Sequence, residues 1–128
     1  MLKVSIVTPE QLAFEGEARE VYAPGWEGEF GILPGHDAYL SLMRAGVVTV
    51  QTSSGTQRFI VGRGFAEAGP SSVTLLVDSC ESTEGVDKAA ARQALQAAEA
   101  DLLKANANTP GWDAIEERRE LAAARIDA

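Results

Sequence analysis

Leu2, Val4 and Ile6 alternate with Lys3 and Ser5, the period of a strand with one buried face. Pro9 ends that strand or marks an edge. Residues 12–23 alternate less cleanly, but Phe14, Val21 and Tyr22 are good strand formers. Phe30, Ile32 and Leu33 suggest another short strand, and residues 38–43 one more. Residues 47–52 and 57–61 flank Ser53-Ser54-Gly55-Thr56, and residues 65–68 and 73–77 flank Gly69-Pro70-Ser71-Ser72, so two hairpins are predicted. In the second, Val73, Leu75 and Val77 should face the core and Thr74 the solvent. Pro24-Gly25 reads as a turn and Pro34-Gly35 as a tight turn. Gly28, Gly31 and Gly35 suggest positive φ or close approach of another segment. Turns at intervals of roughly 8–12 residues predict a β-sandwich of about ten short strands.

The period changes near residue 85. Ala91, Leu95, Ala98, Leu102 and Ala105 form one thin stripe along a helix of about 18 residues, with Asp87 as its N-cap. Asn106-Ala107-Asn108 interrupts it. A second helix starts either with Thr109 capping and Pro110 at the first position, or with Asp113 and Glu116 as a capping-box-like pair. It should run to about Ile126, with Trp112, Ile115, Ala122 and Ile126 on one side and Leu121 beside them. A short loop between the two predicts an antiparallel hairpin. Alanine buries little, at about 0.8 kcal/mol per CH₂, so this hairpin should need the sandwich or a partner and could detach at modest cost.

Composition sharpens the division. Residues 1–84 hold ten of the 12 glycines and four of the 5 prolines, while residues 85–128 hold 14 alanines. The expected organisation is therefore a β-sandwich over 1–84 and a helical hairpin over 85–128. The net charge of −8 argues against nucleic acid and against direct adhesion to an anionic lipid surface. A basic protein partner fits better. No apolar run reaches the ~18 residues of a membrane span, and no secretory signal is visible. One cysteine, Cys80, excludes an internal disulfide.

Candidate chemistry is sparse. His36 has Asp37 and Ser41 near it in sequence, but no triad spacing, and a turn histidine bonded to its own loop or to a partner is the preferred reading. A small-ligand-binding or enzymatic β domain using the His36 loop is the alternative function. One histidine and one cysteine do not suggest a zinc site, so no metal is expected. Cys80, after the last predicted strand, reads as a small apolar residue. Gly62-Arg63-Gly64 lacks the rest of a P-loop and reads as a bulge or close backbone packing. No serine sits in a Gly-x-Ser-x-Gly elbow. No catalytic residue and no cofactor is expected.

The run Gly-Glu-Phe-Gly-Ile-Leu-Pro-Gly-His at 28–36 resembles the signature of the epsilon subunit of bacterial and chloroplast ATP synthases, called delta in mitochondria. In chain order, residues 2–9 (LKVSIVTP) resemble that family's first strand, 62–67 (GRGFAE) its glycine-aromatic-acid motif, and 73–78 (VTLLVD) its last strand before the helices. The resemblance spans nearly the whole chain. It implies a rotor subunit of the proton-translocating enzyme, linking the gamma subunit to the membrane c-ring. It further implies a peripheral place on the cytoplasmic face of the bacterial inner (plasma) membrane, reached through the complex.

The resemblance also implies site residues. Glu29, Gly31 and His36 match positions in the loop facing the c-ring and gamma. Arg118, Arg119 and Arg125 on the second helix have two readings: a solvated face beside Glu116, Glu117 and Glu120, or contacts with an acidic segment of the catalytic beta subunit that block hydrolysis. Some members bind ATP through an Ile/Leu-Asp-x-x-Arg-Ala motif. Here Val86, Asp87 and Ala91 match but Ala90 replaces the arginine, and Arg92 lies about 200° further round the helix, which puts ATP binding in doubt.

Overall fold

The computed structural model describes residues 1–128. Ten strands are followed by two helices. The strands are β1 (Leu2–Val7), β2 (Leu12–Ala18), β3 (Glu20–Gly25), β4 (Gly28–Ile32), β5 (Tyr39–Met43), β6 (Gly46–Thr52), β7 (Gly55–Val61), β8 (Gly64–Ala68), β9 (Ser72–Val77) and β10 (Cys80–Ser82). The helices are α1 (Lys88–Leu103) and α2 (Trp112–Asp127).

The strands join in the order β10-β7-β6-β3-β5-β8-β9-β1-β2, with β4 paired to β3. Only one residue pair, Gly25 with Met43, links β3 to β5. There the sheet folds over and makes two layers. Val21, Ala23, Val48 and Val50 point inward from one layer, and Ile6, Val4, Leu75 and Val73 from the other. All eight are wholly buried. Burial alternates strictly along β1 and β9, so Thr74 lies on the outer side of Val73 and Leu75 as expected. Phe14 on β2 meets Phe59 on β7 at 5.2 Å between centroids and closes one end of the core.

Three local expectations are corrected. Pro24-Gly25 is not a turn. Both residues belong to β3, and the chain reverses at Trp26-Glu27. A Cβ on Gly25 would lie 2.5 Å from the Gly28 carbonyl oxygen, so this glycine serves close approach rather than a bend. Cys80 does not follow the last strand but opens β10, paired with Val61 of β7. Burial, followed by the charge of Glu81, pushes its thiol pKa up.

The third correction concerns α2. Neither Thr109 nor Asp113 caps it: Gly111, at φ 82°, occupies the N-cap position. The Thr109 hydroxyl instead accepts from the Asn106 amide at 2.9 Å, tightening the interhelical loop. Asp87 caps α1 as expected, accepting from the Ala90 amide at 3.0 Å.

The helices are antiparallel. Lys88, at the start of α1, donates to the carbonyls of Ile126 and Ala128 at the end of α2. Buried Ala91 and Ala98 of α1 and Ala122 of α2 mark the apolar contact. α2 is the middle layer, because it also lies on β6 and β7.

Candidate partner-binding face and helix seat

The outer face of the second layer is unusually apolar. Register places Leu42 of β5 opposite Phe65 of β8, Phe65 opposite Leu76 of β9, Leu76 beside Val7 of β1, and Val7 opposite Leu12 of β2. Five strands thus contribute one row of large apolar side chains. Leu42 is 64% exposed, Leu12 53% and Phe65 39%, and Leu40, two residues along β5, is 66% exposed. A shallow groove of about 370 Å³ runs beside Val7, Phe65 and Leu76. Contiguous exposed apolar rows of this kind are characteristic of interaction surfaces.

The 28–36 segment lies at the Leu42 end of this row. Glu29 is exposed on β4, opposite Pro24. Gly31 lies opposite Tyr22, and a Cβ there would come within 2.8 Å of the tyrosine ring. Gly28 and Gly35 have positive φ, and the Gly35 amide donates to the Pro70 carbonyl at 2.8 Å, tying this turn to the β8–β9 turn. The exposed His36 ring meets Tyr39 edge-on, with centroids 5.8 Å apart. A groove of about 790 Å³ is lined by Glu29, Gly31, His36, Leu40 and Leu42 together with Trp26. The structure therefore brings Glu29, Gly31 and His36 to one groove, continuous with the apolar row.

Arg118, Arg119 and Arg125 are not gathered into one patch. Arg118 pairs with Asp101 of α1 at 3.1 Å, and Arg119 with Glu116 at 2.9 Å. Arg125 binds both carboxylate oxygens of Glu81 on β10, which raises its pKa further, against the cost of burial. Of the neighbouring surface pairs expected on α2, only Arg119 with Glu116 forms.

Glu120 departs most from expectation. It is 7% exposed and lies against the sandwich. Arg63 donates to it through Nε and Nη2, both at 3.0 Å, Arg44 through Nη1 at 2.9 Å, and the Ala45 amide at 3.2 Å. Burial pushes the Glu120 pKa up, but these hydrogen bonds outweigh it and hold the carboxyl below its ordinary value. The hydrogen bond to Glu120 in turn raises the Arg63 pKa, against its own desolvation. Glu117 accepts from the Arg63 amide at 2.8 Å. Sequence reasoning missed this seat because a helix held between two layers has two buried sides, and only the alanine side shows as an apolar stripe.

Gly62-Arg63-Gly64 is close packing, as expected. A Cβ on Gly64 would lie 1.9 Å from the Leu76 carbonyl oxygen. The remnant of the nucleotide motif places Asp87, Ala90 and Ala91 in a groove with Glu81, Glu84 and Arg125. Three carboxylates face one guanidinium that Glu81 already occupies, a charge pattern unfavourable to a triphosphate.

Comparison with known proteins bears on this arrangement. Residues 1–83 match the β-sandwich domain of the ATP synthase delta/epsilon chain. The chain belongs to the ATP synthase delta/epsilon family. The ATP synthase epsilon chain of Moorella thermoacetica is 38% identical over 130 residues, covering 99% of this chain and 95% of that one. That of Myxococcus xanthus is 34% identical over 127 residues, covering 99% and 93%. The helical hairpin is thus included in the likeness to epsilon chains.

Solved structures share the fold at low identity. One is a chain of the Euglena gracilis mitochondrial ATP synthase OSCP/F1/c-ring structure, with TM-score 0.80 and 18% identity, covering 98% of this chain and 79% of that one. Another is from the Tetrahymena thermophila mitochondrial ATP synthase central stalk and c-ring, with TM-score 0.63 and 14% identity, covering 98% and 94%. No helix of the chain is long and apolar enough to cross a membrane.

Proposed function

We propose that this chain is a central-stalk subunit of a proton-translocating ATP synthase that joins the gamma subunit to the c-ring and makes or breaks no bonds itself. The observation that carries this reading is the apolar row Leu42–Phe65–Leu76–Val7–Leu12, continuous with the Glu29–His36 groove. A long stalk element lying along the row would cover exposed leucine and phenylalanine, and the groove would present Glu29 and His36 to a second partner. Torque transfer needs a stiff body, and the strands under the row, all but the edge strand β2 paired on both sides, supply one. In this reading residues 1–84 are the coupling body and residues 85–128 a regulatory arm. The subunit is then peripheral, on the cytoplasmic face of a bacterial inner membrane, held there by its partners.

Regulation by the arm would use Arg118, Arg119 and Arg125. Each is paired with a carboxylate in the seated hairpin, so contact with a catalytic beta subunit would exchange Asp101, Glu116 and Glu81 for acidic groups on that partner. The exchange conserves ion pairing and is cheap in principle.

The test is reconstitution with gamma and c-ring. Leu42→Asp with Phe65→Ser should abolish gamma capture while circular dichroism stays that of a β protein. Glu29→Lys or His36→Ala should loosen assembly and uncouple ATP-driven proton pumping in membrane vesicles, without unfolding. Normal capture and pumping after all four changes would overturn the assignment, as would unaided substrate turnover by the purified chain.

A further inference from the structure

Two arginines from separate corners of the sandwich converge on one carboxylate. Arg44 lies between β5 and β6 and Arg63 between β7 and β8, and both bind Glu120 of α2. The same two guanidinium groups lie over one indole: Arg44 is 4.3 Å and Arg63 5.1 Å from the Trp26 ring centroid. Arg44 Nε also donates to the Trp26 carbonyl at 3.0 Å, and the Trp26 amide donates to the Leu42 carbonyl at 3.0 Å. An unbroken set of contacts therefore runs from the inner side of α2 to the β3–β4 turn and on to the end of the apolar row.

Two like charges this close are tolerated because Glu120 lies between them. Asp113, 91% exposed and 3.8 Å from Arg63, cannot replace it. If α2 lifts away, Arg44 and Arg63 face each other over Trp26 without a buried anion. Arg44, the more exposed of the two, then swings to water and releases the Trp26 carbonyl.

We propose that Glu120 is a latch that couples the seating of α2 to the conformation of the β3–β4 turn, so that the outer face senses whether the hairpin is seated. The coupling is reciprocal: whatever holds the turn in its present form also favours the seated hairpin. Its consequence for a partner rests on the docking face proposed above, whereas the latch itself is a property of the isolated chain. Glu120 is a positioning residue, acting on the turn through Arg44.

Amide hydrogen exchange on the full chain tests this. Glu120→Gln should speed exchange across residues 112–127 at least about tenfold, and speed the Trp26 and Arg44 amides with them. Amides of Ile6 and Leu75 should keep their protection. Asp113→Asn should change nothing. Acceleration confined to α2, no acceleration at all, or uniform acceleration of every strand would each overturn the latch. Arg44→Met, which leaves Arg63 on Glu120, should also speed both Trp26 and α2; an effect at Trp26 alone would overturn the coupling. Failure to capture gamma with these exchange effects intact would count against the docking face and leave the latch standing.

Discussion

The sandwich and the hairpin are held by different physics. Inside the sandwich, Leu2, Ile6, Ile32, Val73 and Leu75 are wholly buried, and every inner strand is hydrogen-bonded on both sides. Burying such side chains contributes about 1.5–3 kcal/mol each and involves no charge that titrates or is screened. Between the helices the buried residues are alanines, and between α2 and the sandwich the central group is Glu120. An alanine face gains little from burial, and an ion pair must offset its own desolvation. The first region is therefore permanent and the second conditional. The roles proposed here, a body that transmits force and an arm that moves, need that contrast.

The largest effect should come from the permanent region. Leu75→Ala removes a wholly buried side chain from the middle of β9 and should destabilise the sandwich by about 2–5 kcal/mol, measured by denaturant unfolding. A loss under 1 kcal/mol would mean the core is looser than its burial implies.

Acid should act next, and on the conditional region first. Glu120 has a folded pKa below its ordinary value, so its contribution is fully present above the unfolded value of about 4.3 and disappears as pH falls through the lower, folded value. Arg44, Arg63 and the Ala45 amide face it from the sandwich, with Glu117 and Asp113 nearby on its own helix. Helix exchange protection should therefore fall below about pH 4 before β-sheet circular dichroism changes. Simultaneous loss of both would erase the distinction between the regions.

Removing residues 86–128 should have a smaller effect on the β transition. It exposes Arg44 and Arg63 but leaves the sixteen-residue core cluster intact, so unfolding should stay cooperative. A chain that no longer melts cooperatively would show the hairpin to be part of the body. The smallest effect belongs to Arg118→Ala. Its pair with Asp101 is half exposed, and thermal unfolding should register no more than about 0.5 kcal/mol.

Much of this was legible residue by residue. Alternation over 2–6 and 73–77 specified strands with a buried side, because a strand's inside and outside are decided by period two alone. The glycine–proline–glycine–histidine segment and the three motifs in order identified the family before any coordinates. Where local chemistry was ambiguous, reading failed. Pro24-Gly25 has the composition of a turn, yet the close approach of the Gly28 carbonyl made Gly25 a strand residue. Thr109 and Asp113 both have capping chemistry, yet a left-handed glycine took the position.

The sequence by itself determined what is local: the strands, the change to helix near residue 85, the Asp87 cap and the family. The tertiary structure alone decided what is long-range. Leu12, Leu42, Phe65, Leu76 and Val7 become one face only through the register of five strands, including the parallel pairing of β1 with β9. Glu120 is one more acidic residue on a charged helix until Arg44 and Arg63, 76 and 57 positions away, close on it. Periodicity reports which side of an element is buried, but not what the other side will meet, because that depends on how the layers pack.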